Sequence, residues 1–370
     1  MEQRMRTWAE ISLSNIEFNV KSIKAALPHG CKFLGVLKAN AYGHGAVPCA
    51  GAMLRAGADY LAVACLSEAQ ELRAGGIESP ILIFGVTPPQ LAPELQRLSL
   101  TQTVGSLDYA RELNDKLEKP ILAHLKLDTG MGRLGFGMTA AELAEAAEAV
   151  SFEKLDFEGI FTHFAVSDVC GDDFTKTQFE RFTKAAEHIE GASGHRFELH
   201  HCANSGAVIN YKRFALSMVR PGLISYGMYP DRERGEIELR PALALKTRIS
   251  SINEHVPGDT IGYGRAFMVK VPMKIAVLPI GYADGLHRCA SGRLRVLING
   301  QFCPQVGRIC MDMCMVDVSN LPSARCGDIA TLIGSDGENE ILADEIAKCA
   351  ETINYEIPCA ITARVPRVYG

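Results

Sequence analysis

Phe33-Leu34-Gly35-Val36-Leu37-Lys38-Ala39-Asn40-Ala41-Tyr42-Gly43-His44-Gly45 carries an apolar run that stops on a lysine and breaks into small residues and two glycines. Short apolar runs bounded by turn signals read as buried strands, and strands buried on both faces are those of parallel sheets. A lysine at the C-terminal end of such a strand stands where parallel α/β folds build their active sites. Partial desolvation there lowers the ammonium pKa towards the amine that Schiff-base chemistry needs. Lys38 taken alone is better read as a rim lysine reaching out to water, so the rest of the chain has to decide.

Outward from this stretch the pattern repeats. Strand-like apolar runs occupy 33–37, 60–66, 81–86, 101–105, 121–127, 157–164, 197–202 and 216–220. A helix is expected over residues 14–27, with Ile16, Val20, Ile23 and Leu27 at helical spacing, and others over Ser67–Gly75, Ser106–Leu117, Thr139–Val150 and Phe174–Ile189. Strands alternating with helices make parallel βα units, and eight is the count that closes a (β/α)8 TIM barrel. An open doubly wound sheet shares the alternation, but no Gly-x-Gly-x-x-Gly opens a helix after the first strand, which argues against dinucleotide binding. From residue 236 the texture becomes β-rich, with runs at 242–252, 259–263, 273–280, 293–298, 313–318 and 328–333 and one helix at Leu342–Cys349. The expected fold class is α/β: a barrel domain over 1–235, followed by a mainly antiparallel β domain over 236–370.

Thirty-eight basic residues against forty-three acidic ones give a net charge of −5 without a basic cluster, so no nucleic acid or anionic membrane is expected as a partner. The N-terminal residues lack the apolar core of a signal peptide and no run reaches membrane-spanning length, which points to a cytoplasmic protein. Twelve cysteines are scattered with no Cys-x-x-Cys pair. His200-His201-Cys202 could suggest a metal, but successive strand residues face opposite sides, and no metal site is expected.

Val36-Leu37-Lys38-Ala39-Asn40-Ala41-Tyr42-Gly43-His44-Gly45 resembles the cofactor-lysine motif of the alanine racemases, enzymes that use pyridoxal 5'-phosphate (PLP). The resemblance runs from about Trp8 to Arg364 and includes His201-Cys202-Ala203-Asn204-Ser205, Arg220-Pro221-Gly222-Leu223, Ile261-Gly262-Tyr263-Gly264-Arg265, Cys310-Met311-Asp312 and Thr352-Ile353-Asn354-Tyr355-Glu356-Ile357-Pro358. It implies that Lys38 holds PLP and that Tyr42, Ser205, Gly222, Leu223 and Tyr355 contact its phosphate. The loops after barrel strands seven and eight are the recurrent phosphate site of this fold, and Ser205 is expected to cap the helix it opens.

The same resemblance sets Arg220 against the pyridine nitrogen. A guanidinium keeps its proton up to pH ~12, so the ring nitrogen stays unprotonated and the ring is a weaker electron sink, suited to removing and returning one proton. It implies Lys38 and Tyr263 as the two bases, His163 as the link between the tyrosine and Arg220, and Arg133 with Met311 as the holders of the alanine carboxylate. Lys126, carbamylated in many relatives, and Asp312 support them. It further implies a homodimer that shares active sites, Tyr263 and Met311 coming from the partner copy. Ala165-Val166-Ser167-Asp168 and Gly206 depart slightly from the family pattern. Related barrel enzymes that decarboxylate basic amino acids pair the ring nitrogen with a carboxylate, so Arg220 argues against them; Tyr263 and the β domain argue against a PLP-carrier protein. A tyrosine at 355 crowds the pocket and favours alanine over serine. The expected function is interconversion of L- and D-alanine, supplying D-alanine for peptidoglycan.

Overall fold

The computed structural model describes residues 6–230 and 236–370. The chain forms two compact units: one holds residues 15–41 and 46–240, the other the N-terminal residues through Ser14, Tyr42–Gly45 and Pro241–Gly370.

The first unit is the barrel. Its strands are β2 (Lys32–Val36), β3 (Tyr60–Val63), β4 (Ile81–Ile83), β5 (Thr101–Val104), β6 (Ile121–Lys126), β7 (Leu155–Phe161), β8 (Leu199–His201) and β9 (Met218–Val219); β1 (Thr7–Ile11) lies in the other unit. All neighbouring pairs are parallel, in the order β8-β7-β6-β5-β4-β3-β2-β9. The seam between β8 and β9 is closed by single bonds: Arg220 N–H donates to Ala203 O at 2.9 Å, and His200 N–H to Ser217 Oγ at 2.6 Å. Eight strands read from apolar runs are thus eight strands in a nearly closed TIM-like barrel. The expected helices are present, and Ala46–Arg55 and Ala92–Arg97 are helices that the sequence reading did not name. Ser106 caps Leu107–Lys116, and Thr139 with Glu142 forms a reciprocal capping box on Ala140–Ala149, which is why these starts were legible.

The second unit is a mostly antiparallel sheet. Its strands are β1 (Thr7–Ile11), β10 (Leu243–Arg248), β11 (Ser251–His255), β12 (Thr260–Ile261), β13 (Phe267–Met268), β14 (Met273–Leu278), β15 (Arg295–Ile298), β16 (Gln301–Val306), β17 (Cys314–Asp317), β18 (Ile329–Asp336), β19 (Asn339–Ile341) and β20 (Arg367–Tyr369). The main order is β11-β14-β17-β16-β15-β18-β10-β1-β20. A cut at 235/236 leaves β1 with the barrel, whereas β1 pairs with β10 and β20. Five residues of strand carry too little pattern to reveal a partner more than two hundred positions away. Buried Asp284 anchors this end, with both carboxylate oxygens accepting from Arg6 at 2.8 and 2.9 Å.

The chain after Lys38 is a left-handed turn. Ala39, Asn40, Ala41 and Tyr42 have φ of 54°, 53°, 55° and 52°, a conformation that costs about 1–2 kcal/mol for each non-glycine residue. Local bonds hold it. Ala41 N–H donates to Leu37 O at 2.7 Å, Ala39 N–H to Glu68 Oε1 at 2.6 Å, and Ala46 N–H to Asn40 Oδ1 at 2.7 Å. Strain retained beside a reactive group is a mark of a functional site.

Candidate active site

In the barrel unit every candidate residue stands at the C-terminal ends of the strands. Lys38 lies two residues beyond β2, Lys126 ends β6, His163 follows β7, Ser205 follows β8, and Arg220, Gly222 and Leu223 follow β9.

Arg220 is buried, and its partners are backbone carbonyls and imidazoles. Nη1 donates to His201 Nδ1 at 2.9 Å; Nη2 donates to Thr162 O at 2.7 Å and Cys202 O at 3.3 Å, and reaches His163 Nδ1 at 3.5 Å. The guanidinium sits 5.1 Å above the Phe161 ring. Burial pushes its pKa down to about 10, which leaves it charged at neutral pH. His163 is held well below the ordinary imidazole range, first by desolvation in its dense packing and then by the charges of Arg220, Arg133, Lys126 and Lys38. Basic side chains gathered about one neutral ring favour an anionic occupant.

Lys126 is buried, and its Nζ donates to Leu127 O at 2.6 Å. Its pKa falls to about 7, chiefly through burial and then through the charge of Arg220, with Asp128 opposing and Arg133 adding. The Asp128 carboxylate accepts the backbone N–H groups of Gly130, Met131, Gly132 and Arg133 at 2.7–3.0 Å, fixing the loop that carries Arg133.

Ser205 does not cap its helix. Asn204 is the cap, its side chain accepting from Ala207 N–H, and Ser205 Oγ instead accepts Gly222 N–H at 3.0 Å. Asparagine, one position earlier, is an equally good cap, so the hydroxyl is left to join the loops after β8 and β9.

In the sheet unit, Tyr42 and Tyr355 pack with ring centroids 6.2 Å apart. Burial first, then Tyr355 and Cys359, push the Tyr42 phenol pKa well up. Gly43, at φ +80°, passes so close to Pro358 that an added Cβ would lie 2.0 Å from its carbonyl oxygen. Tyr263 projects from a turn flanked by Gly262 and Gly264 at φ 74° and 69° and is 68% exposed. Met311 is also exposed, while Asp312 accepts from Arg364 at 2.8 Å.

Models of the alanine racemase N-terminal and C-terminal domains match residues 11–230 and 242–369. An alanine racemase of Caldanaerobacter subterraneus subsp. tengcongensis is 44% identical over 369 residues, covering 98% of this chain and 94% of that protein. The chain belongs to the alanine racemase family. Among solved structures, the Clostridium difficile 630 alanine racemase is similar with a TM-score of 0.94 and 40% identity, covering 99% of this chain and 96% of that one. That of Bacillus anthracis with bound L-Ala-P has a TM-score of 0.92 and 36% identity, covering 99% and 95%.

The two departures from the alanine racemase pattern meet in space. A Cβ on Gly206 would lie 2.7 Å from Asp168 N and 2.8 Å from Ser167 O, while Ser167 Oγ bonds Asn204 Oδ1 at 2.6 Å. With no Cβ, Gly206 lets the 165–168 segment pass this close.

Sequence reasoning passed over His124, Glu158 and Tyr60, and considered His201 only as a metal ligand. The signal was present in Ile121-Leu122-Ala123-His124-Leu125-Lys126, where a histidine interrupts a buried strand. Alternation along β8 does separate His200, 3.4 Å from Glu190, from His201, which turns towards Arg220.

Proposed function

We propose that the protein interconverts L- and D-alanine with PLP carried on Lys38, Lys38 and Tyr263 moving the proton on opposite faces. The observation that carries this reading is the group of Lys38, Lys126, Arg133 and Arg220 around a neutral His163 at the C-terminal mouth of the barrel. A phosphate-bearing cofactor and an amino-acid carboxylate match that excess of positive charge. When bound, PLP supplies an electron sink for the charge that develops at the substrate Cα. Arg220, still protonated at neutral pH, keeps that sink weak by favouring an unprotonated ring nitrogen.

The remaining tasks belong to the chain. The Ser205 hydroxyl, which accepts the Gly222 N–H, with the Gly222–Leu223 backbone and the hydroxyls of Tyr42 and Tyr355, would hold the phosphate. His163 links Arg220 to the tyrosine. Arg133, permanently charged and planar, holds the carboxylate together with Met311. Asp312, paired with Arg364, supports the Met311 loop. Lys126, with its pKa near 7, is amine enough at neutral pH to add CO2, giving a carbamate and releasing one proton; the carbamate then faces Arg133. Tyr355 would crowd the side-chain pocket, favouring alanine over serine.

Tyr263, Met268, Met311 and Met313 are all exposed on the sheet unit, apolar side chains that a partner copy would cover. This supports a homodimer in which Tyr263 serves the partner's site. No helix among the described residues is long and apolar enough to cross a membrane, which is consistent with cytoplasmic D-alanine supply for peptidoglycan.

The test is hydrogen exchange at Cα in D2O with L-alanine and the PLP-loaded protein, followed by chiral analysis. Deuterium uptake with D-alanine formation is expected. Exchange without inversion would overturn the two-base assignment, and no exchange would overturn the racemase reading.

A further inference from the structure

Beneath Arg220 lies a hydrogen-bond chain whose direction has one consistent solution. A guanidinium only donates, so His201 Nδ1 accepts from Arg220 Nη1. Burial and the Arg220 charge keep His201 neutral, so its single proton is on Nε2, donated to His124 Nδ1 at 2.7 Å. His124, kept neutral chiefly by burial, therefore carries its proton on Nε2 and donates to Glu158 Oε1 at 3.1 Å. Burial pushes the Glu158 carboxyl up, but the His124 and Tyr60 bonds and the charge of Lys32 bring it below its ordinary value. Tyr60 OH donates to Glu158 Oε2 at 3.1 Å.

Three further features are shaped to this chain. The β6–β7 ladder is bulged: Ala123 faces Phe157 and His124 faces Gly159, leaving Glu158 unmatched, and bulges re-aim side chains. Gly159 must lack a Cβ, which would lie 2.7 Å from the His124 ring. The His201 ring stacks on Phe161, centroids 4.7 Å apart and nearly parallel at 5°, so its rotation is fixed as well.

We propose that His201, His124 and Glu158 form a positioning relay that fixes the tautomer of His201 and so holds the Arg220 guanidinium in one orientation, with the Glu158 carboxylate as anchor. An imidazole that donates to a carboxylate is the stronger acceptor at its other nitrogen. The same polarisation passes through His124 to His201 and ends at Arg220. The relay's purpose rests on the reading of Arg220 given above; its geometry does not.

The experiment is NMR on PLP-loaded protein with 15N-labelled histidine and arginine, wild type beside Glu158→Gln. Glutamine keeps an acceptor oxygen and removes the charge. In the wild type, His124 and His201 are expected with unprotonated Nδ1 and protonated Nε2; an Nδ1–H on either ring overturns the relay without any variant being needed. In E158Q the Arg220 guanidinium protons should exchange about tenfold faster and kcat should fall about tenfold with KM unchanged, the lower end of what losing a histidine-orienting partner costs. Glu158→Asp should recover part of both. A variant whose thermal midpoint alone drops, with Arg220 exchange and kcat unmoved, would show a merely structural carboxylate and overturn the proposal. Slower kcat without faster Arg220 exchange overturns it too. Expected tautomers and faster Arg220 exchange in a protein that does not racemise alanine would support the relay while sinking the functional reading.

Discussion

Replacing Lys126 with methionine tests the electrostatics of the site directly. An ammonium whose pKa falls from 10.5 to about 7 in the folded chain destabilises the fold by roughly 5 kcal/mol when charged, at 1.36 kcal/mol per pH unit. The penalty is complete below pH 7, where folding must bury the charge, and vanishes above the unfolded pKa near 10.5, where neither state carries it. Methionine has similar length and no charge, and forfeits one bond to Leu127 O, worth about 1 kcal/mol. In CO2-free buffer Lys126→Met should therefore be more stable than wild type by about 4 kcal/mol at pH 6. The gap should close by about 1.4 kcal/mol per pH unit between pH 7 and 10. Urea unfolding of both proteins followed by circular dichroism across pH 6–10 measures it. A gap flat in pH, or one that widens as pH rises, would refute the buried, depressed lysine. Bicarbonate at pH 8 should then stabilise the wild type alone, with the mass of one CO2 on Lys126.

Tyr263→Phe should lower racemase turnover by about 10²- to 10⁴-fold, the worth of a general acid–base group, while the bound-cofactor absorbance persists; near-normal turnover removes Tyr263 from the mechanism. Arg6→Ala strips the buried Asp284 carboxylate of its bidentate partner, which is itself partly exposed, while Arg364 stays 3.5 Å away; thermal unfolding should show a loss of about 2 kcal/mol, the worth of a hydrogen bond to a charged group. Gly43→Ala forces a methyl against Pro358 at positive φ and should destabilise by about 2 kcal/mol or more; a stabilised variant would contradict the close approach. Ser205→Ala should weaken cofactor affinity, measured by fluorescence titration, by about tenfold, because the Gly222 N–H loses its acceptor at a cost of about 1–2 kcal/mol.

The sequence by itself determined the barrel and most of its site, because both are written locally. Burial on two faces makes each barrel strand an uninterrupted apolar run, and caps such as Ser106 and Thr139 mark helix starts within four residues. Lys38, Arg133, Arg220 and Tyr263, the residues proposed for the site, could be singled out for the same reason, each lying inside a short motif. Only the tertiary structure decided what depends on distant pairing. The strand Thr7–Ile11 joins β10 and β20, not the barrel its position suggests. The left-handed turn at 39–42 has no glycine to announce it, since its strain is offset by Glu68 and by the Asn40 bond to Ala46. The depressed pKa of Lys126 comes from desolvation and from Arg220, ninety-four positions away. The relay from Arg220 to Glu158 joins three strands and the residue after a fourth, and no window along the chain contains two of its histidines. A hydrogen bond's partner is set by where strands close in space, and the chain states only which groups are able to make one.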